Sequence, residues 1–186
     1  MRKLMMTVAI LVSVGATMMG CQSPPKTEAG RAKLDENTTS VLDRLYSTDP
    51  GFKRFLDRAY GYAVFPTAGK GGLIVGGAYG HGEVFEQGMK IGYAEITQAT
   101  VGAQIGGQQF TEVIAFENKN AMEKFKAGKF AFSAQVSAVA LKSGASENAK
   151  YADGVAVFTA TRGGLMAEAA IGGQKFAYQS LENAGK

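Results

Sequence analysis

The 186-residue chain has one cysteine, one histidine, four prolines and no tryptophan. A single cysteine cannot close an intrachain disulfide or supply a cysteine-rich zinc site. One histidine cannot build the paired-histidine site of a zinc protease, and any Ser/His/acid triad would have to use His81. No Gly-x-Ser-x-Gly nucleophile elbow occurs. The phosphate-loop spacing fails too, because Gly71 stands where a hydroxyl should follow Gly69-Lys70. Glu83, Glu86, Glu95 and Glu112 are scattered, and sequence alone does not pair them for acid–base work. These absences argue against an enzyme, and no cofactor or metal is expected. A hydrophobic share of 46% with a charged share of 19% excludes both a disordered chain and a wholly membrane-embedded one. What the chain has in excess is glycine, 25 residues against so few prolines, so glycine is expected inside strands as well as in turns.

The one cysteine is informative by its place. Arg2 and Lys3 precede an uncharged apolar run from Leu4 to about Met19, followed by Gly20 and Cys21. That is the layout of a secretory signal rather than of a spanning helix. Met18-Met19-Gly20-Cys21 resembles the lipobox of bacterial lipoproteins, in which the cysteine is acylated and becomes the N-terminus. The alternative is a plain signal, or an uncleaved anchor, with an incidental cysteine. The expected division is a lipoprotein signal peptide over 1–20, a lipid-anchored tether over 21–33 and one folded domain over 34–186. Loss of Arg2 and Lys3 leaves eighteen basic against sixteen acidic residues, a net charge of about +2, too little to point to nucleic acid. Gln22 follows the cysteine where an aspartate often retains such proteins at the inner membrane. The expected location is therefore the cell envelope, lipid-anchored, on the periplasmic face of the outer membrane.

Beyond the tether, Leu34, Val41, Leu42 and Leu45 recur at helical intervals. Asp49-Pro50 signals a second helix start, with aspartate as cap and proline at the first position. Phe52, Phe55, Leu56 and Ala59 share one of its faces, and Lys53, Arg54, Asp57 and Arg58 the other. From Tyr62 the texture is that of strands. Ala63-Val64-Phe65 is a buried-strand run, and 72–84, 100–116, 129–141 and two stretches near 154–160 and 164–178 follow. Asn120 to Glu123 has capping-box spacing before a short helix that Gly128 closes. His81, between Gly80 and Gly82, is expected at a hairpin tip or bulge. Ala-Val-Phe at 63–65 recurs at 156–158, and Ile-Gly-Gly-Gln at 105–108 recurs at 171–174. The offsets differ, so these are repeated strand units of one sheet and not a tandem duplication. Glycine at alternate strand positions bares one face and lets a sheet coil tightly. The expected fold is α+β: a small, glycine-rich, mainly antiparallel twisted barrel or sandwich with flanking short helices.

Two basic groups remain, Lys53, Arg54 and Arg58 with Arg44 nearby, and Lys119, Lys124, Lys126 and Lys129. Each is either a solvated helix face or a contact for an anionic bilayer. Lys70 and Arg162 stand on similar Gly-Gly segments, which are either tight strand turns or shallow anion-binding nests.

The motifs together are similar to those of SYLF domains. Ala59-Tyr60-Gly61-Tyr62-Ala63-Val64-Phe65-Pro66 resembles the opening signature of that family. Lys70-Gly71-Gly72 with Gly76-Gly77 and Gly80-His81-Gly82 matches its next glycine-rich strand pair. Val101 to Gln108 resembles its Gly-x-Gln-x-Gly-x-Gln strand, Gly128-Lys129-Phe130 its Gly-Lys-Phe, and Arg162-Gly163-Gly164-Leu165 its Lys-Gly-Leu-Phe element. Order and spacing hold from about 35 to 178. Tyr60 departs from the usual lysine, and Ala138 to Leu141 lacks the usual run ending in Gly-Pro. The family is lipid-binding; its eukaryotic members take phosphoinositides, a fungal branch binds actin, and bacterial members include lipoproteins. The resemblance therefore implies binding of anionic phospholipid head groups, with Lys53, Arg54, Arg58, Lys70 and Arg162 as contacts and the lysines of 119–129 as a second cluster. Phe52 or Phe55 would insert beneath the head groups unless the core claims them. The rival expectation is an envelope scaffold whose sheet edges receive a protein partner.

Overall fold

The computed structural model describes residue 25 and residues 27–71, 75–101, 108–132, 136–161 and 173–184. Thr27 caps the first helix, α1 (Glu28–Thr48), by accepting the Gly30 N–H at 3.1 Å. The helix thus begins within the stretch read as a tether, and Leu34, Thr38, Val41 and Leu45 form its buried side. Asp49 caps the next helix, α2 (Pro50–Arg58), as its sequence predicts. One of its carboxylate oxygens accepts the Gly51 N–H at 3.0 Å, and the other accepts the Ser146 N–H at 2.8 Å. Burial works to raise this carboxyl, but the N–H groups of Ser146, Gly51 and Phe52 outweigh it and hold Asp49 below the usual carboxylate range.

Seven strands follow: β1 (Gly61–Gly71), β2 (Val75–Glu86), β3 (Met89–Val101), β4 (Gln108–Phe116), β5 (Ala138–Ala140), β6 (Val155–Thr161) and β7 (Gln174–Ser180). Helix α3 (Lys119–Lys126) lies between β4 and β5. They form one sheet in the order β5-β6-β4-β1-β2-β3-β7, antiparallel throughout except for the parallel β5–β6 pair. Alternation sends Val64, Val113, Ala115, Ala156 and Phe158 to one face, where Leu45, Phe52, Phe55 and Leu56 of α1 and α2 cover them. Ala63, Phe65, Ile114, Phe116 and Val157 point to the other face and meet Met122 and Phe125 of α3. The two helical pairings therefore lie on opposite sides of the sheet.

The sheet curls over its α3 face. Gln174 on β7 donates from Nε2 to Glu112 on β4 at 2.9 Å, although β1, β2 and β3 lie between those strands in the order. Glycine allows the curl: a Cβ on Gly82 would stand 2.6 Å from the Phe65 ring, which lies across β2 at that point. Closure into a barrel is not found among the described residues. Phe130 and Phe132 pack on Phe176 of β7, with ring centroids 5.8 and 5.7 Å apart, so an aromatic plug fills the concave side. The expectation of a barrel or two-sheet sandwich is corrected to a single open, curled sheet with three helices.

Two strand expectations change as well. Among the described residues of 129–141, the alternation yields strand only at Ala138–Ala140, because Phe130, Phe132 and Val136 pack on the core without a ladder partner. The run over 100–116 is divided between the end of β3 and all of β4, which are not neighbours in the sheet. The Ala-Val-Phe repeat is carried by β1 and β6, which flank β4, but in opposite phase: Val64 and Phe158 both oppose Val113. Among the described residues, no helix is long and apolar enough to cross a membrane.

Candidate functional site

The α2 face supplies less free charge than its composition implies. Lys53 Nζ is bonded to Asp57 one turn on, at 2.8 Å, and Arg54 lies 3.9 Å from Glu147. Arg44 is committed to the protein, donating to Thr111 Oγ1 at 3.3 Å. Arg58 makes no ion pair among the described residues. The core has claimed both phenylalanines. Phe52 is fully buried with its ring 4.8 Å from Phe158, and Phe55 packs edge-on against the same ring at 5.0 Å. Insertion of either under a head group would require α2 to leave the sheet, so of the two alternatives the core's claim holds.

Of the two Gly-Gly segments, the structure describes the backbone at Lys70. Lys70 belongs to β1, paired with Ala78 and Gln108, rather than to a turn, and its side chain lies outside the described residues. Arg162 and Cys21 lie outside them altogether, as do Ile171 and Gly172 of the second Ile-Gly-Gly-Gln echo, whose Gln174 opens β7. His81 is not at a hairpin tip but in the middle of β2, opposite Glu95 on β3. The β1–β2 pairing shifts register between the Thr67–His81 and Val64–Glu83 pairs, so a bulge does stand beside it. Its Nε2 shares a hydrogen bond with Tyr79 Oη at 2.8 Å, and burial holds the ring below its ordinary pKa, hence neutral at pH 7.

The lysines around α3 divide into two kinds. Lys126 is structural: it pairs with Glu123 at 2.8 Å and with Glu86 at 3.3 Å. Glu86 also accepts the Tyr60 hydroxyl at 2.7 Å, and that bond, with Lys126, holds its carboxyl below the usual range. Lys119, Lys124 and Lys129 are exposed and make no ion pair among the described residues.

Lys124 and Lys129 are held together by the way α3 ends. Gly128 takes the left-handed conformation, φ +66°, which returns the chain so that the Lys129 N–H donates to the Lys124 carbonyl at 3.0 Å. The turn thereby places both lysines on one groove of about 570 Å³ and sends Phe130 down into the core. Buried Ala121, Val136 and Val155 and half-buried Phe130 floor it. Its far wall is the turn at Asp153-Gly154, where φ is +51° and +80°. Asn118 closes the end near the helix start, its Oδ1 accepting the Ala121 N–H at 3.1 Å. Composition alone pointed to the lysines. It missed Asp153, Asn118 and the apolar floor, although Asp-Gly is a strong two-residue turn signal.

One end of the sheet gathers this groove with other features. Gly61 and Phe116 are register partners there, and α2 runs into β1 on one side while α3 leaves β4 on the other. Arg58 and Lys119 therefore flank the same sheet end. The two exposed large apolar side chains among the described residues, Met89 at 67% and Leu181 at 42%, are there too. Met89 follows the β2–β3 turn, and the Leu181 N–H bonds the Ile91 carbonyl at 3.1 Å.

Comparison with known proteins bears on this arrangement. Residues 97–185 match the family Ysc84, described as Las17-binding protein actin regulator. Beta cell expansion factor A of Aeromonas veronii is 32% identical over 155 residues, covering 83% of this chain and 59% of that protein. The chain thus spans about three-fifths of that relative's length. The aligned stretch and the family match together take in the Gly128-Lys129-Phe130 turn and the strands that carry it. The chain carries a Ysc84/SYLF domain.

Proposed function

We propose that this protein is a non-catalytic, lipid-anchored component of the bacterial envelope whose SYLF domain binds phospholipid head groups through the α3 groove. The observation that carries the reading is one sheet end on which free lysines, an apolar-floored groove and two exposed apolar tips converge. Lys124 and Lys129 supply charge for the phosphate, and the floor of Phe130 and Val136 accepts the glycerol and first methylenes. Met89 and Leu181 reach below the head groups, and Arg58 and Lys119 sit at the interface, each basic residue contributing about 1 kcal/mol near an anionic surface. Acyl chains on Cys21 hold the domain within reach, since several chains anchor stably where one is marginal. Arg58 is the residue of the α2 cluster that remains available; Lys53 and Arg54 already face carboxylates.

Co-sedimentation of the chain from Gln22 onward with vesicles tests this. Lys124→Gln with Lys129→Gln is expected to cut partitioning to anionic vesicles about tenfold, while Lys53→Gln with Arg54→Gln changes it less than twofold. Binding should weaken with added salt. Equal loss from both pairs would overturn the groove as the site.

A further inference from the structure

We infer that the α3 groove selects a head group carrying a primary amine beside its phosphate. This rests on the groove being the head-group site and concerns which head group it takes. The groove is dipolar. Lys124, Lys129 and Asp153 all line it, yet no ion pair joins the lysines to the carboxylate among the described residues. Backbone geometry presents both charges: the Gly128 turn brings Lys129 back to Lys124 at the end of α3, and the left-handed turn at Asp153-Gly154 carries the carboxylate. That turn is locked to the end of β4 by the Glu117 N–H, which donates to the Gly154 carbonyl at 2.9 Å.

A ligand that satisfies such a site carries an anion and a cation a few bonds apart. A phosphodiester meets the lysines, and an ammonium meets Asp153. Phosphoethanolamine has this pattern, and its N–H groups can donate to the carboxylate. Phosphocholine has the charge but no N–H, and phosphoglycerol has no cation, leaving Asp153 facing an anion. The order of preference is therefore ethanolamine over choline, with glycerol last at this groove. Anionic lipids still attract the sheet end as a whole, through Arg58 and Lys119 outside the groove.

Soluble head groups separate this from general membrane attraction. The full-length protein in neutral detergent micelles is titrated with glycerophosphoethanolamine, glycerophosphocholine, glycerophosphoglycerol and inorganic phosphate, following the Ala121 and Gly154 amide resonances. Glycerophosphoethanolamine is expected to bind tightest. Asp153→Asn keeps a residue that tolerates the left-handed conformation, so the turn survives. This variant is expected to lose about fivefold in affinity for glycerophosphoethanolamine and none for glycerophosphoglycerol. Equal affinity for all four probes, or an Asp153→Asn variant that still prefers the ethanolamine compound, overturns the amine assignment. In that outcome, loss of all binding in Lys124→Gln/Lys129→Gln leaves the groove standing as a phosphate site. If that double variant still binds every probe as the parent does, both readings fail together.

Discussion

At the scale of single residues, Glu83 shows how a charge inside the sheet couples stability to pH. It is 1% exposed on β2, beneath α1, and Lys90 of β3 bonds it at 3.0 Å while also pairing with Asp35 of α1. The groups facing it are thus Asp35, Lys90 and Tyr93, over whose ring Lys90 Nζ lies at 5.3 Å. Burial, with the neighbouring Asp35 carboxyl, pushes Glu83 up to about 7 in spite of Lys90. Asp35 moves the opposite way, below its ordinary value, chiefly through its hydrogen bond with Glu83. A raised carboxyl stabilises the fold fully below its ordinary pKa of 4.5, and that stabilisation is lost as pH rises through about 7. The lowered Asp35 contributes above its ordinary 3.8 and loses that contribution as pH falls. Denaturant unfolding between pH 5 and 8 should therefore show stability declining by an amount on the order of 2 kcal/mol. Glu83→Gln should flatten that decline, and an unchanged slope would show that Glu83 titrates normally.

At the scale of elements, the turn that ends α3 does two jobs that substitution can separate. Gly128→Ala places a side chain at φ +66° and should cost about 1 kcal/mol, a fall in Tm of about 2–4 °C. It should also weaken vesicle binding severalfold although no charge changes, because Lys129 no longer returns beside Lys124. Gly144 is the matched control, with φ +74°, open space around its Cβ position and a place away from the groove. Gly144→Ala should cost similar stability and leave binding intact; parallel loss of binding would mean that global stability and not the turn governs it. The elements differ in how legible they were. Helix α2 could be read because Asp49-Pro50 and the stripe of Phe52, Phe55 and Leu56 agree with each other. Strand β3 could not, because its two faces mix Glu95, Thr97 and Gln98 with Tyr93, Ala94 and Ile96, and buried polar groups erase the period of two. The described residues on either side, 129–132 and 136–137, misled for the converse reason: alternation records which side is buried, not whether a neighbour supplies hydrogen bonds. The groove joins residues from 118 to 155 through a left-handed glycine and a two-residue turn, so its lysines were visible as composition and its acid was not.

At the scale of the whole molecule, the two basic clusters can serve one bilayer in only one way. Helices α2 and α3 cover opposite faces of the sheet, so docking on either broad face presents one cluster and hides the other. Docking on the sheet end brings Arg58 and Lys119 to the interface together, flanking the Gly61–Phe116 pair, and points Met89 and Leu181 at the bilayer. The absence of tryptophan makes this orientation measurable, since any tryptophan introduced is the only one in the chain. Met89→Trp places it at the end expected to enter the membrane, on a side chain that is already 67% exposed and so costs the core nothing. Gln109→Trp places it on an exposed position at the opposite end of the sheet, where Gln109 pairs with Gly69. With anionic vesicles the emission of Met89→Trp should shift to the blue and be quenched by a lipid-borne quencher, while Gln109→Trp should keep its aqueous spectrum. A shift at Gln109→Trp, or none at either position in protein that co-sediments, would rule out end-on docking. Position 89 separates the geometries because broad-face docking leaves the β2–β3 tip in water, whereas end-on docking buries it.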